Sequence, residues 1–228
     1  MEVVFIIRCK IRKKRTKSMQ TGGGFLDSQG LFSYYESKSH TCHLTHRVPP
    51  PTTSDPLPTH EFRRRYDQRS AIVEKALRAL VPPRTPRSLY EPMRYVVAAG
   101  GKRLRAVLAL LACEAVGGRP GSALPAAAAV ELLHNFTLVH DDIEDGDATR
   151  HHRPTLWALW GEPQAINAGD GMHVLAHIAL LEAAAVGVAP DVVVSLARRF
   201  ATASLVVTEG QHLDLAFTGT DIVPVGAY

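Results

Sequence analysis

ELLHNFTLVHDDIEDGD, from Glu131 to Asp147, joins the end of an apolar helix to a dense group of acids. The residues before it, from about Ala123 to Val139, are apolar on nearly every face, which predicts a central, buried helix. Five of the seven residues from Asp141 to Asp147 are acidic. The sequence therefore predicts a helical core in which the innermost helix ends at a charged site.

We predict that Asp141, Asp142 and Asp145 bind a divalent cation. Like charges this close repel, and a helix C-terminus disfavours each anion by about 0.3–1 kcal/mol. Asp145 lies on the same helical face as Asp141 and Asp142, so the three carboxylates can converge. Several hard oxygen ligands suit Mg2+, which shares its remaining positions with water and substrate phosphates. Taken alone, the motif is explained equally well by a solvated acidic turn.

Helical spacing extends over most of the chain after residue 60, interrupted by Pro and Gly pairs. No alternation of strand length stands out, so the predicted class is all-α. Beside the buried helix and a short segment around Trp157 and Trp160, the predicted helices are Glu61 to Leu80, Ser88 to Ala99, Lys102 to Val116, Pro163 to Val186 and Pro190 to Phe217.

The two ends of the chain differ in composition. Residues 1–58 lack a sustained apolar period and are predicted to form a disordered extension, which leaves residues 59–228 as the N-terminal portion of a helical domain. No apolar run reaches the ~18 residues of a membrane span. The net charge of +4 comes largely from residues 10–17 and does not indicate nucleic-acid binding. Three cysteines without metal spacing favour the cytoplasm.

Basic residues surround the acidic stretch in sequence. In GGKRLR, Lys102 and Arg105 begin a helix, where backbone N–H groups and two cations can hold an anion such as a diphosphate. His134 lies about two turns before Asp141 on the buried helix. Arg150 follows the acids and can either contact a phosphate or neutralise the carboxylates. A capped basic turn and a core histidine are the structural alternatives.

Together these segments resemble the polyprenyl synthetase family, the trans-isoprenyl diphosphate synthases. The matching segments are GGKRLR from Gly100, ELLHNFTLVHDDIED from Glu131, RHHRPT from Arg150, AINAGD from Ala165 and EGQHLDL from Glu209. The resemblance implies an isoprenoid-synthase-type bundle of long helices around a central cavity. It also implies an enzyme that condenses isopentenyl diphosphate with an allylic diphosphate and that is a homodimer when complete.

The resemblance also implies roles for individual residues. Asp141, Asp142 and Asp145 would hold Mg2+ on the allylic diphosphate, helped by Arg150. Isopentenyl diphosphate would be bound by Lys102, Arg105 and His134. Phe136, five residues before the first aspartate, would stop the growing chain at a C15–C20 product, with Thr137 beside it.

Two departures from the family pattern affect these expectations. His151 and His152 stand where the family usually has Arg-Gly, which would weaken the binding of isopentenyl diphosphate. The Lys-Thr pair and the second aspartate-rich motif do not occur before Tyr228, so the chain is interpreted as a truncated synthase with an exposed apolar surface. A non-catalytic partner subunit, a class I terpene cyclase and a metal phosphohydrolase are the alternative functions.

Overall fold

The computed structural model describes residues 59–218, and the extension predicted for residues 1–58 lies outside this range. Seven helices and one small hairpin make up the described part of the chain. The helices are α1 (Thr59–Leu80), α2 (Arg87–Ala98), α3 (Leu104–Ala115), α4 (Pro120–Glu144), α5 (Leu156–Trp160), α6 (Glu162–Leu181) and α7 (Pro190–Phe217), and the strands are β1 (Thr149–Arg150) and β2 (Arg153–Pro154).

Helix α4 is the central element, as its composition predicts. It packs most extensively against α6 and α3, and it also contacts α1, α5 and α7. Ala127, Ala128 and Ala129 are fully buried, and such small side chains let neighbouring helices approach closely. At Gly169 of α6 an added Cβ would lie 2.5 Å from His140 Nε2 of α4. A side chain at position 169 would therefore require the His140 ring to move.

The predicted helices are confirmed, with differences at their ends. Helix α3 begins at Leu104 rather than Lys102 because Gly100, Gly101 and Arg103 all have positive φ angles, which α-helices exclude. Helix α6 ends at Leu181 rather than Val186. The hairpin was not predicted, since each of its strands has only two residues.

The loop before α3 is fixed by Arg103, whose side chain is 2% exposed. Its guanidinium donates to Glu74 Oε2 of α1 at 2.9 Å and to the Val97 carbonyl of α2 at 2.8 Å. Glu131 Oε1 of α4 lies 3.5 Å away. One buried cation thus connects three helices to the loop that carries Lys102.

Helix α7 is packed along only part of its length. Its buried side chains are Val193, Leu196 and Phe200, all in the first half. In the second half Leu205 and Val206 are each 58% exposed. By length and composition α4 could span a membrane, but 61% of its apolar window is buried in the bundle, as in the core helix of many soluble folds.

Candidate active site

The acidic residues occupy the C-terminal end of α4, at the edge of the bundle. Asp142 is buried, Asp141 is half-buried, and Asp145 is the exposed residue that caps the helix. Burial raises the pKa of Asp142, while the hydrogen bond from Arg150 opposes this shift. The central helix therefore carries its acids from the core out to solvent, as the sequence predicts.

Arg150 of β1 contacts two of the three aspartates. Its Nε donates to Asp142 Oδ1 at 2.5 Å, and its Nη2 donates to Asp141 Oδ2 at 3.0 Å. The sequence left open whether Arg150 binds phosphate or neutralises the acids. In this structure the guanidinium pairs with the carboxylates through two of its nitrogens.

The hairpin that carries Arg150 is held against the bundle by several contacts. His151 and His152 form its two-residue turn with φ angles of 50° and 62°, which is the left-handed geometry of a type I′ hairpin. Tyr95 of α2 donates to the Pro154 carbonyl at 2.9 Å. Trp157 Nε1 donates to the Asp147 carbonyl at 2.8 Å, so the segment after the acids is fixed as well.

The second half of α7 supplies polar groups to the acidic end of α4. Gln211 Nε2 donates to Glu144 Oε2 at 2.8 Å and lies 3.5 Å from Asp141 Oδ1. Repulsion by Asp141 is the main cause of the raised pKa of Asp145, and Asp147 and Asp214 contribute. The EGQHLDL segment is therefore part of the same site.

This carboxylate set is of the chemical type that binds a hard cation. The raised pKa of Asp145 shows that repulsion among the acids persists despite Arg150. A divalent cation would relieve it through oxygen ligands. Within residues 59–218, however, no three acidic, His or Cys side chains are already arranged as a metal site. The residues fit Mg2+ by chemistry, with Arg150 occupying two of the carboxylates.

The predicted anion-binding residues come from two elements, with His134 on α4 and with Lys102 and Arg105 at the start of α3 and just before it. Lys102 and Arg105 are exposed and form no ion pair within the described part of the chain. Lys102 precedes α3, so the prediction that both residues begin the helix is wrong for Lys102. Burial is the main cause that lowers the pKa of His134 to about 4, and the charges of Arg105, Arg103 and Arg150 contribute to this shift. The positive charges at the start of α3 and that of Arg150 in the hairpin therefore both act on His134.

Three residues near the site were missed by sequence reasoning. Arg103 lies between the two predicted cations in sequence, yet it is buried and paired. Glu131 Oε2 and Asn135 Nδ2 are buried without a hydrogen-bond partner in the described structure. Both lie on the apolar helix within about three turns of Asp141. Their polarity could have identified them, since polar residues on an apolar helix require partners.

Phe136 packs against the rings of two histidines. It stacks on His173 with 4.7 Å between ring centroids and contacts His140 at 4.6 Å. A pocket of about 380 Å³ lies elsewhere, between Pro83 and Arg94, and no predicted site residue lines it. The site is therefore defined by its side chains rather than by that pocket.

The polyprenyl synthetase family profile matches residues 86–227. This range covers more than half of the chain and contains every predicted site residue. The chain belongs to the polyprenyl synthetase family. Its all-α class and its relation to prenyl diphosphate synthases, both predicted from the sequence, are confirmed.

Relatives in the family are short-chain prenyl diphosphate synthases. The chain is 52% identical over 105 residues to a geranylgeranyl diphosphate synthase of Methanosarcina mazei, covering 46% of this chain and 32% of that one. It is 41% identical over 165 residues to the large subunit 1 of a heterodimeric geranylgeranyl pyrophosphate synthase of Arabidopsis thaliana, covering 69% of this chain and 44% of that one. The chain thus spans less than half the length of these relatives.

A solved structure shares the fold. Geranylgeranyl pyrophosphate synthetase of Pyrococcus horikoshii aligns with a TM-score of 0.68 and 37% identity, over 74% of this chain and 50% of that one. Over the aligned part, this chain therefore arranges its helices as that synthetase does.

Proposed function

We propose that this polyprenyl synthetase takes part in the condensation of isopentenyl diphosphate with an allylic diphosphate, giving a C15–C20 prenyl diphosphate. The observation that carries this proposal is the joint position of Asp141, Asp142 and Arg150 at the end of α4. The names of the relatives, which are geranylgeranyl and farnesyl diphosphate synthases, support the substrate class.

Arg150 would stabilise the negative charge on the departing diphosphate. Its Nε and Nη2 are held by Asp142 and Asp141, which fixes the plane of the guanidinium. The N–H donors on Nη1 remain available for a phosphate oxygen. An arginine orientated in this way costs little reorganisation when charge develops on the leaving group.

Asp141, Asp142 and Asp145 are the residues that would hold Mg2+. When bound, Mg2+ would supply a positive charge that screens the diphosphate oxygens. The bond between the allylic carbon and the diphosphate oxygen then breaks, and its electron pair leaves with the diphosphate. The alkene of isopentenyl diphosphate attacks the allylic cation, and a proton is lost from the new product.

Lys102, Arg105 and His134 would bind the diphosphate of isopentenyl diphosphate. Lys102 and Arg105 are exposed cations, so an anion can reach both. His134, with its pKa lowered to about 4, is neutral at pH 7 and would donate a hydrogen bond rather than a full charge. His151 is exposed in the hairpin turn, where it can meet a diphosphate only from the solvent side.

Three further parts of the prediction stay with this proposal. Phe136 would limit product length, since its ring lies on α4 five residues before Asp141. Homodimer formation and a cytoplasmic location remain predictions.

An elongation assay tests the proposal directly. Labelled isopentenyl diphosphate is incubated with dimethylallyl, geranyl or farnesyl diphosphate and Mg2+, and labelled products are separated by chain length. We expect elongated product with the wild-type chain and at least a tenfold loss with Asp142→Asn. Asp191→Asn, at the opposite end of α7, is the matched control and should retain the rate. Cyclic hydrocarbon, free phosphate or no product would contradict the proposal.

A further inference from the structure

Two histidines of α6 bring their ring nitrogens together, and neither is among the residues proposed to bind Mg2+ or a diphosphate. His173 and His177 are four residues apart, which places them one turn apart on the same helical face. Their Nε2 atoms are 3.3 Å apart. Both side chains are half-buried, so ions in solvent can reach them.

This separation matches the spacing of two imidazoles on one metal ion. Zinc–nitrogen bonds are about 2.0–2.1 Å long, and tetrahedral geometry then places two ligating nitrogens about 3.3–3.4 Å apart. An N–H···N hydrogen bond at 3.3 Å is, by comparison, longer than the usual range. The distance between the two nitrogens is therefore that of two ligands on one metal ion.

Each ring is held in place by an aromatic neighbour. His173 stacks on Phe136 of α4 with an angle of 12° between the ring planes. His177 meets Phe200 of α7 edge-on, with 5.0 Å between the ring centroids. Rings fixed by packing lose little side-chain entropy when they bind a metal ion. Burial and the neighbouring His177 also lower the pKa of His173, which keeps it in the neutral form that binds metals.

We propose that His173 and His177 form a binding site for a transition-metal ion of the zinc, nickel and copper class. Imidazole nitrogen favours these ions, whereas Mg2+ requires oxygen ligands. No third acidic, thiol or imidazole ligand joins the pair within residues 59–218, so water completes the coordination. The site is distinct from the carboxylates at the end of α4 and does not depend on the proposed function.

Metal binding measured by thermal unfolding tests this site. Because a ligand that binds only the folded chain stabilises it, we expect the Tm to rise by roughly 3–5 °C for each tenfold excess of Ni2+ over its Kd. Cu2+ should act at lower concentration than Ni2+, and Mg2+ should give no shift through this pair. H173A/H177A should lose the Ni2+ shift.

The chain has 11 histidines, and the controls separate this pair from the nine others. H151A/H152A removes an exposed histidine pair from the hairpin turn and should retain the Ni2+ shift. Should H173A/H177A fail to fold, His177→Gln keeps most of the side-chain volume and should weaken Ni2+ binding at least tenfold, measured by equilibrium dialysis. An equal Ni2+ response in wild type and the α6 variants, or an equal loss in H151A/H152A, would overturn the proposal.

Discussion

At the scale of single residues, His134 shows how surroundings change the role of a side chain. The sequence places it near the acids, which would favour its protonated form. The structure instead surrounds it with apolar helix and arginines, so its pKa falls from 6.5 to about 4. His134 is therefore neutral at pH 7 unless an anion binds beside it and raises its pKa.

His134 should therefore make stability depend on pH. Its pKa is lower in the folded chain than in the unfolded one, so the unfolded state binds more protons between pH 6.5 and about 4. The contribution of His134 to stability is complete above pH 6.5 and is lost as the pH falls towards 4. Replacing His134 with glutamine should make the urea midpoint of unfolding depend less on pH between 6.5 and about 4.

Inorganic diphosphate provides the matching test, because an anion held near His134 raises its pKa. With diphosphate present, the wild-type midpoint should fall less between pH 6.5 and 5 than without it. The His60→Gln variant changes an exposed histidine in the first turn of α1 and should leave both curves as in the wild type. Identical pH curves for wild type and His134→Gln would contradict this prediction.

Asp145 provides a second prediction at this scale. It is exposed, and its pKa is raised chiefly by Asp141. Without metal, Asp145→Asn removes this repulsion and should raise the Tm at pH 7. With excess Mg2+ the wild type should gain more stability than the variant, because the variant has lost an oxygen ligand that carries charge.

The control for Asp145 is Asp191→Asn, in the first turn of α7. The helix dipole stabilises an acidic side chain at this N-terminal position. This variant should therefore lower the Tm by the same amount with and without Mg2+. If Mg2+ stabilises Asp145→Asn as much as the wild type, Asp145 is not a ligand.

At the scale of elements, the packing of α6 against α4 involves a residue without a side chain, Gly169. Gly169 lies where α6 crosses α4, and a Cβ there would meet His140 Nε2 at 2.5 Å. Gly210 of α7 is also within a helix, but a Cβ there would meet nothing within 4 Å. The two glycines therefore differ in packing although both lie in helices.

Alanine substitutions should have opposite effects at these two positions. Gly210→Ala should stabilise the chain by about 0.5–1 kcal/mol, because alanine restricts the unfolded chain and favours helix. Gly169→Ala should destabilise it by about 1–3 kcal/mol, the usual cost of overpacking. Urea unfolding measures both, and stabilisation by Gly169→Ala would show that the helices can separate at little cost.

The elements were predictable from the sequence because apolar periodicity and the Pro and Gly breaks are local signals. The acidic end of α4 was also predictable, because the acids directly follow the apolar segment in sequence. Arg103 could not be placed, since its burial depends on Glu74 and Glu131, which are distant in sequence and meet only in the fold. The pairing of Arg150 with the acids was one of two open alternatives because local sequence does not fix where a hairpin packs.

At the scale of the whole molecule, the described chain leaves much of one helix uncovered. Leu205, Val206 and Val207 are consecutive in α7 and are 58%, 58% and 47% exposed. Consecutive helical positions point about 100° apart, so these three side chains cover more than half of the helix circumference. A packed surface helix would instead bury one side and carry polar residues on the other.

This uncovered half of α7 should cause the chain to self-associate. Exposed apolar surface of this extent favours contact with another chain, which agrees with the predicted homodimer. Sedimentation velocity should show a concentration-dependent mass for the wild type and a monomer for Leu205→Glu/Val206→Glu. Val116→Glu changes a 63% exposed side chain at the C-cap of α3 and is the matched control, so it should associate as the wild type does. If the two α7 substitutions leave the mass unchanged, chains associate through another surface, and the exposed half of α7 does not bind a second copy.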